Sequence, residues 1–126
     1  MRKKPIRVLI ADDHFLVRRG LKNILGSDPA IRVVSEVDNG TEVVEKTSET
    51  SPDVIVLDIS MPGKNGIEVL KELHRLYPQL PVLILSIHSE SRFAGPAYRA
   101  GAAAYLKKER AAEELLETVH KLAETA

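Results

Sequence analysis

A doubly wound α/β architecture, in which five parallel strands alternate with five helices, is the fold class that this sequence predicts. Three observations carry that prediction. Residues 54–57 and 82–85 are apolar without a break, as strands buried on both faces of a parallel sheet must be. Between the strand-like runs lie segments whose apolar residues recur at helical spacing. Turn formers punctuate the alternation at 26–29, 38–40, 62–66, 78 and 101.

The first strand signal, residues 6–11, is Ile-Arg-Val-Leu-Ile-Ala and stops abruptly on Asp12-Asp13. After His14, an apolar stripe of Phe15, Leu16, Val17, Leu21, Ile24 and Leu25 predicts a helix that Gly26, Ser27, Asp28 and Pro29 close. Residues 31–37 predict a second strand, placed nearer an edge because Arg32, Ser35 and Glu36 interrupt it. Asp38-Asn39-Gly40 turns the chain, and residues 41–50 predict a short helix with Val43 and Val44 inward.

Residues 53–58 carry four apolar positions that end on a single acid, Asp58, before Pro62, Gly63, Asn65 and Gly66 force a turn. Ile67, Val69, Leu70, Leu73 and Leu76 mark the third helix, stopped before Tyr77-Pro78. Residues 81–86 form another apolar strand, ending on the hydroxyl of Ser86. Gly95-Pro96 then interrupts a helical pattern. An interior proline removes a hydrogen bond and clashes with the preceding turn, so the expectation is a helix starting near Gly95 or a kinked one. Gly101 ends it, residues 103–106 predict a short last strand, and residues 111–123 predict an amphipathic helix through Leu115, Leu116, Val119 and Leu122.

Regular alternation makes parallel pairing with right-handed crossovers the default. The two most apolar strands belong at the centre, with residues 6–11 beside the first of them. The result is a flavodoxin-like (βα)5 sheet of order 2-1-3-4-5. At 126 residues there is room for one sizeable core, so 1–126 is expected to be a single domain. Eighteen basic residues balance eighteen acidic ones, so charge alone points to neither nucleic acid nor membrane. The absence of cysteine excludes disulfides, thiol catalysis and cysteine-ligated metals. The apolar stretch after Arg2-Lys3-Lys4-Pro5 is too short for a signal core or a membrane span, which predicts a cytoplasmic protein with no membrane partner.

This topology places the ligand site at the carboxyl edge of the sheet. Asp12, Asp13, Asp58, Ser86 and the lysines at 107 and 108 all fall there. Three converging carboxylates repel unless a cation relieves them, and a hard divalent ion with oxygen ligands suits that need. A lysine opposite would balance the remaining charge and bind an anion, and a carboxylate can attack phosphorus to give an aspartyl phosphate. Two neighbouring lysines compete for the first of these roles, and period-2 alternation points them in opposite directions, so only one reaches the cleft. Taken alone, Asp12-Asp13 could simply cap the helix that follows. His14 and His88 lack the cysteine or helical histidine pairing of a structural metal site, His74 and His120 fall on polar helix faces, and Lys64 is a loop charge.

Four motifs in this order carry a family resemblance over essentially the whole chain: Ala-Asp-Asp-His at 11–14, Asp58-x-x-Met-Pro-Gly-x-x-Gly66, Leu-Ser at 85–86, and Gly-Ala-x-x-Tyr-Leu-x-Lys at 101–108. Together they resemble a response-regulator receiver domain. The wording of residues 12–21, 85–88 and 101–106 is similar to the subfamily whose receivers precede a helix-turn-helix DNA-binding domain, and none is expected within 1–126. The resemblance implies that Asp58 accepts phosphate and that Asp13 ligates Mg²⁺ (or Mn²⁺) directly. Asp12 assists through water, and the main-chain carbonyl of Ser60 supplies a further ligand. It also implies that Ser86 donates to the attached phosphoryl group, with Lys108, three residues past Tyr105, pairing from the other side. Tyr105 would change rotamer with Ser86, and His88 would flank the phosphoryl site and tune hydrolysis.

The same resemblance implies a histidine kinase or phosphotransfer protein as donor and a change in self-association, as a homodimer, or in contact with a DNA-binding domain as output. Two features depart from the family pattern: Glu109 stands where a proline often follows the lysine, and Gly95-Pro96 falls where family members change shape. Two rivals remain. A Mg²⁺-dependent phosphohydrolase would need a second general acid and a substrate cap, and neither stands out in the sequence. A phosphorylation-independent interaction module would usually lack one of the acids, and none is missing.

Overall fold

The computed structural model describes residues 4–87 and 90–125, the side chains of 90–93 and 125 excepted. Five strands form one parallel sheet: β1 (Ile6–Ala11), β2 (Ile31–Val37), β3 (Val54–Asp58), β4 (Val82–Ser86) and β5 (Ala104–Lys107). Their order is β2-β1-β3-β4-β5, the flavodoxin-like arrangement expected from the burial ranking. Five helices connect them: α1 (Phe15–Gly26), α2 (Val43–Thr50), α3 (Gly66–Leu76), α4 (Glu90–Ala100) and α5 (Ala111–Thr125). A single turn of 3-10 helix, Gly40–Glu42, leads into α2, with the Asn39 side chain accepting from the amide of Glu42.

Alternation within each strand divides the core in two. Val8, Ile10, Val54, Val56, Leu83, Leu85 and Leu106 pack with Leu21 and Leu25 of α1 and Leu115 and Val119 of α5. On the opposite face, Leu9, Ala11, Ile55, Leu57, Val82, Ile84 and Tyr105 pack with Val69, Leu70 and Leu73 of α3 and Ala97 of α4. Both faces of β3 and β4 are covered, so every residue of these strands is buried.

Three elements differ from the sequence reading. The stripe of α1 is narrower than expected: Phe15 and Leu16 are 62% and 78% exposed, out of phase with the inward row through Leu21 and Leu25. The last strand is shifted one residue later, ending on Lys107. Of the two expectations at Gly95-Pro96, the helix starting near Gly95 is the one overturned: α4 begins at Glu90 and runs through Pro96. The proline forfeits one hydrogen bond in the second turn, and the buried Ala97 and Ala100 anchor the part of the helix that follows it.

Candidate functional site

The parity that builds the core also aims the polar side chains at the sheet's carboxyl edge. Asp12 continues the row of Val8 and Ile10, Asp58 that of Val54 and Val56, and Lys108 that of Ala104 and Leu106. All three rows lie on the α1/α5 face, so the three side chains meet. The ammonium of Lys108 lies 2.9 Å from Asp12 Oδ2 and 3.1 Å from Asp58 Oδ2. Lys107 has the other parity and sits 3.7 Å from Glu109 outside the cleft, so the competition between the two lysines is decided by strand geometry. Ser86 shares the row of Val82 and Ile84, is fully buried, and stands opposite Lys107 in register. Tyr105 is buried on that same face, opposite Ile84.

Backbone contacts fix the acids. The Asp12 amide donates to the Val37 carbonyl (3.0 Å) and its carbonyl accepts from Arg18 Nη1 (2.7 Å). Asp12 Oδ1 accepts from the His14 amide (2.9 Å), and Asp58 Oδ1 from the Ser60 amide (3.0 Å). Close approach of α3 brings the loop after β3 under the site. A Cβ at Gly66 would strike the Ile59 carbonyl, which accounts for a glycine as the first helical residue. Asn65 caps that helix by accepting from the Ile67 amide (2.8 Å).

Two nearly inaccessible acids share one ammonium. Burial pushes the Asp58 carboxyl above its usual range, and the charge of Asp12 adds to this; the Ser60 amide and Lys108 oppose it without prevailing. Burial works against the charge on Lys108, yet its ion pairs with Asp12 and Asp58 hold it above its ordinary value. The Asp58 shift reports burial first and the neighbouring acid second, whereas that of Lys108 reports its two carboxylate partners.

The donor set fits a hard divalent cation. Ligand atoms of Asp12, Asp13, His14 and Asp58 lie within 4.8 Å of one another. Asp12 Oδ2 and Asp58 Oδ2 share the single Lys108 ammonium, and Asp13 Oδ1 has the His14 ring 3.2 Å away, so the acids outnumber the cationic groups beside them. Carboxylate oxygens left this way suit Mg²⁺ or Mn²⁺.

Two neighbours of the acids make contacts that the sequence reading did not assign to them. His14 turns its ring back on the loop, with Nδ1 3.2 Å from both Asp12 Oδ1 and Asp13 Oδ1. Arg18 reaches the Asp12 carbonyl, lies 3.5 Å from Glu36 and spans the Phe15 ring at 5.8 Å. Its place one turn into α1, on the side facing β2, was the available signal. His120 and Lys64 also have partners: His120 Nε2 lies 2.6 Å from Asp28 Oδ2, and Lys64 pairs with Glu72. The expectation at His88 lies outside the described residues. Glu109 follows Lys108 through a trans peptide, and the described residues contain no cis bond.

Residues 8–120 match the response regulator receiver domain family. Among curated proteins, the chain is 39% identical over 122 residues to the transcriptional regulatory protein DegU of Brevibacillus brevis, covering 97% of this chain and 52% of that one. It is 34% identical to the nitrate/nitrite response regulator protein NarL of Escherichia coli K12, covering 96% and 56%. The chain thus spans about half the length of the curated relatives it matches. The signal receiver domain of a NarL response regulator from Mycobacterium tuberculosis superposes with a TM-score of 0.89 at 34% identity, covering 98% of this chain and 99% of that one. The response regulator domain of Thermotoga maritima CheB gives the same values.

Proposed function

The chain belongs to the response regulator receiver family, and from that premise we propose that it is the phosphoacceptor switch of a two-component relay, with Asp58 as the acceptor. The observation that carries the assignment is Asp58 itself, buried at the carboxyl end of β3 between Lys108 and the acids of the first loop. In this reading a histidine kinase, a phosphotransfer protein or a small phosphodonor presents a phosphoryl group in line with an oxygen of Asp58. A new P–O bond forms to that oxygen as the bond to the donor breaks, and the electron pair leaves with the donor.

Asp12, Asp13, Asp58 and the Ser60 main-chain carbonyl would hold Mg²⁺ or Mn²⁺ for this chemistry. Bound there, the ion supplies positive charge against the oxygens of the transferring group. Lys108 already lies beside Asp58, and its ammonium exchanges a carboxylate partner for a phosphoryl oxygen. Ser86 stands one strand away, at the end of β4, where its hydroxyl would donate to the attached group, and Tyr105 on the same face would follow it. Output is a change in self-association or in contact with a DNA-binding domain beyond 1–126, in keeping with transcriptional relatives of about twice this length. A cytoplasmic setting suits such a relay, and no described helix is long and apolar enough to cross a membrane.

The test is intact-protein mass after incubation with acetyl phosphate, with Mg²⁺ and then with excess EDTA. A gain of one phosphoryl group that needs Mg²⁺ and is absent in Asp58→Ala supports the switch. No gain under any condition moves the assignment to a phosphorylation-independent interaction module, and multiple turnover on small phosphoesters moves it to a phosphohydrolase.

A further inference from the structure

Residues 38–42, between β2 and α2, supply none of the acids of the cleft, yet their backbone is locked into the loop that follows Asp58. The Gly40 amide donates to the Pro62 carbonyl (3.0 Å). Gly40 itself is buried, and a Cβ there would stand 2.1 Å from the Lys64 carbonyl oxygen. No carbon tolerates so short a contact, so any side chain at this position must part the two loops. Met61 is buried with Val37 and Val43 on the inner side of the same seam. The clamped loop carries Ser60, whose amide donates to Asp58 Oδ1 at 3.0 Å. Its beginning is fixed as well, because the Ile59 amide donates to the Leu85 carbonyl (3.2 Å) and Gly66 presses on the Ile59 backbone. Only Ser60 and Met61 separate Ile59 from Pro62. A displacement at Pro62 is therefore absorbed in their few backbone torsions, and the Ser60 amide turns with them.

We propose that Gly40 is a positioning residue for Asp58: the 38–42 loop sets the place of the 59–64 loop and, through the Ser60 amide, the direction of the Asp58 carboxylate. The inference rests on reading Asp58 as the group that attacks phosphorus. An oxygen that must lie in line with a phosphoryl group is sensitive to orientation, and a misplacement of about 1 Å costs up to ~100-fold in rate. Asp58 Oδ1 is held by the Ser60 amide and Oδ2 by Lys108, so the two partners together fix the carboxylate plane. With the amide withdrawn, Lys108 alone directs it. Asn39 braces the 38–42 loop in turn, its Oδ1 accepting from the Glu42 amide (3.2 Å) and its Nδ2 donating to Asp38 Oδ1 (3.0 Å).

Gly40→Ala tests this, with Asn39→Ala as a milder variant that loosens the 38–42 loop without inserting an atom into the seam. Gly20→Ala, on α1 with open space around it, is the control. The first readout is nuclear magnetic resonance of the Ser60 amide and the Asp58 carboxyl carbon without metal, together with amide exchange. In Gly40→Ala both signals should move, and exchange at Ser60 should accelerate about tenfold or more beyond any change in α5. The second readout is the rate of phosphoryl uptake against acetyl phosphate concentration with Mg²⁺. The limiting rate should fall about tenfold or more while the half-saturating concentration changes less than about threefold. Asn39→Ala should show the same changes at smaller size, and it carries the test if Gly40→Ala does not fold. Unmoved Ser60 and Asp58 signals in a folded variant would overturn the proposal, because Gly40 would then support only stability. A change confined to the half-saturating concentration would also overturn it, assigning the loop to donor binding. If the wild-type chain takes up no phosphoryl group, the switch reading falls and the Ser60 and Asp58 signals alone decide whether Gly40 positions the carboxylate.

Discussion

The ammonium of Lys108 lies 3.1 Å from Asp58 Oδ2, and the same nitrogen lies 2.9 Å from Asp12 Oδ2. One cation thus ties the last strand to the first and third, across the carboxyl edge where a ligand would sit. The bridge is buried at both ends, with Lys108 12% exposed and the two acids nearly inaccessible. Its removal and its neutralisation should therefore have opposite consequences.

Lys108→Ala leaves two buried carboxylates with no counter-charge. Breaking a buried pair from one side typically costs about 3 kcal/mol, because the remaining charge stays desolvated. Lys107→Ala removes only a half-exposed partner of Glu109 and should cost less than about 1 kcal/mol. Urea unfolding of the two variants in metal-free buffer separates them; equal losses would show that the bridge contributes no more than a surface pair.

Asp58→Asn should stabilise the fold. The carboxyl of Asp58 is held above its usual value, so the folded state binds this proton more readily than the unfolded chain does. Stability from a raised group is full at low pH and is lost as pH rises through its folded value, so at neutral pH the ionised Asp58 is a cost. The amide removes that cost and leaves Lys108 with Asp12 alone. A gain of about 1 kcal/mol or more is expected at pH 7 without metal. The gain should close as pH falls towards about 4 and below, where the wild-type acid is neutral as well. Thermal melts of both proteins across that range check the sign; a gain that grows on acidification would contradict it.

Arg18→Ala should loosen the loop that carries Asp12 and Asp13. The guanidinium donates to the Asp12 carbonyl at 2.7 Å while lying against Glu36 and the Phe15 ring, so it braces β1 against α1 and β2. A hydrogen bond from a charged donor contributes about 1.5–3 kcal/mol. Hydrogen exchange at the amides of residues 12–14 should accelerate in the alanine variant more than exchange in α3 or α5. Arg18→Lys should restore part of the protection, since one donor reaches the carbonyl but the planar fork is lost. Uniform acceleration through the chain would mean that Arg18 supports global stability and does not brace this loop.

Strand order was readable in the sequence because burial leaves a compositional trace: residues 54–57 and 82–85 carry no polar position, whereas residues 31–37 carry three. The gathering of Asp12, Asp13 and Asp58 followed from the topology, since each ends a strand at the same edge. Alternation limited the lysines to one, and the parity of Leu106 selects Lys108. The roles of Arg18 and His14 depend on side-chain direction at the start of a helix, which spacing does not encode. His120 pairs with Asp28 across 92 positions, a contact that no local pattern could announce. Phe15 and Leu16 belong to the apolar stripe that predicts α1, yet the phase of the helix turns them outward.

Pro96 is where local propensity and the fold disagree most, and Pro96→Ala should make the disagreement measurable. The residue is the seventh of the eleven in α4, too deep for the first-turn position that proline tolerates. Its ring removes one backbone hydrogen bond and crowds the carbonyl of residue 92, at a cost of roughly 3 kcal/mol in an unsupported helix. Proline also restricts the unfolded chain, which returns about 0.4–1 kcal/mol. Because Pro96 is itself exposed, the alanine variant leaves no cavity, and a net gain of about 2 kcal/mol is expected. Amide exchange across residues 94–100 should slow by at least as much as the global gain predicts. If stability instead falls, the helix depends on the stiffness proline imposes, and α4 is held in its present shape by the residue that its propensity disfavours.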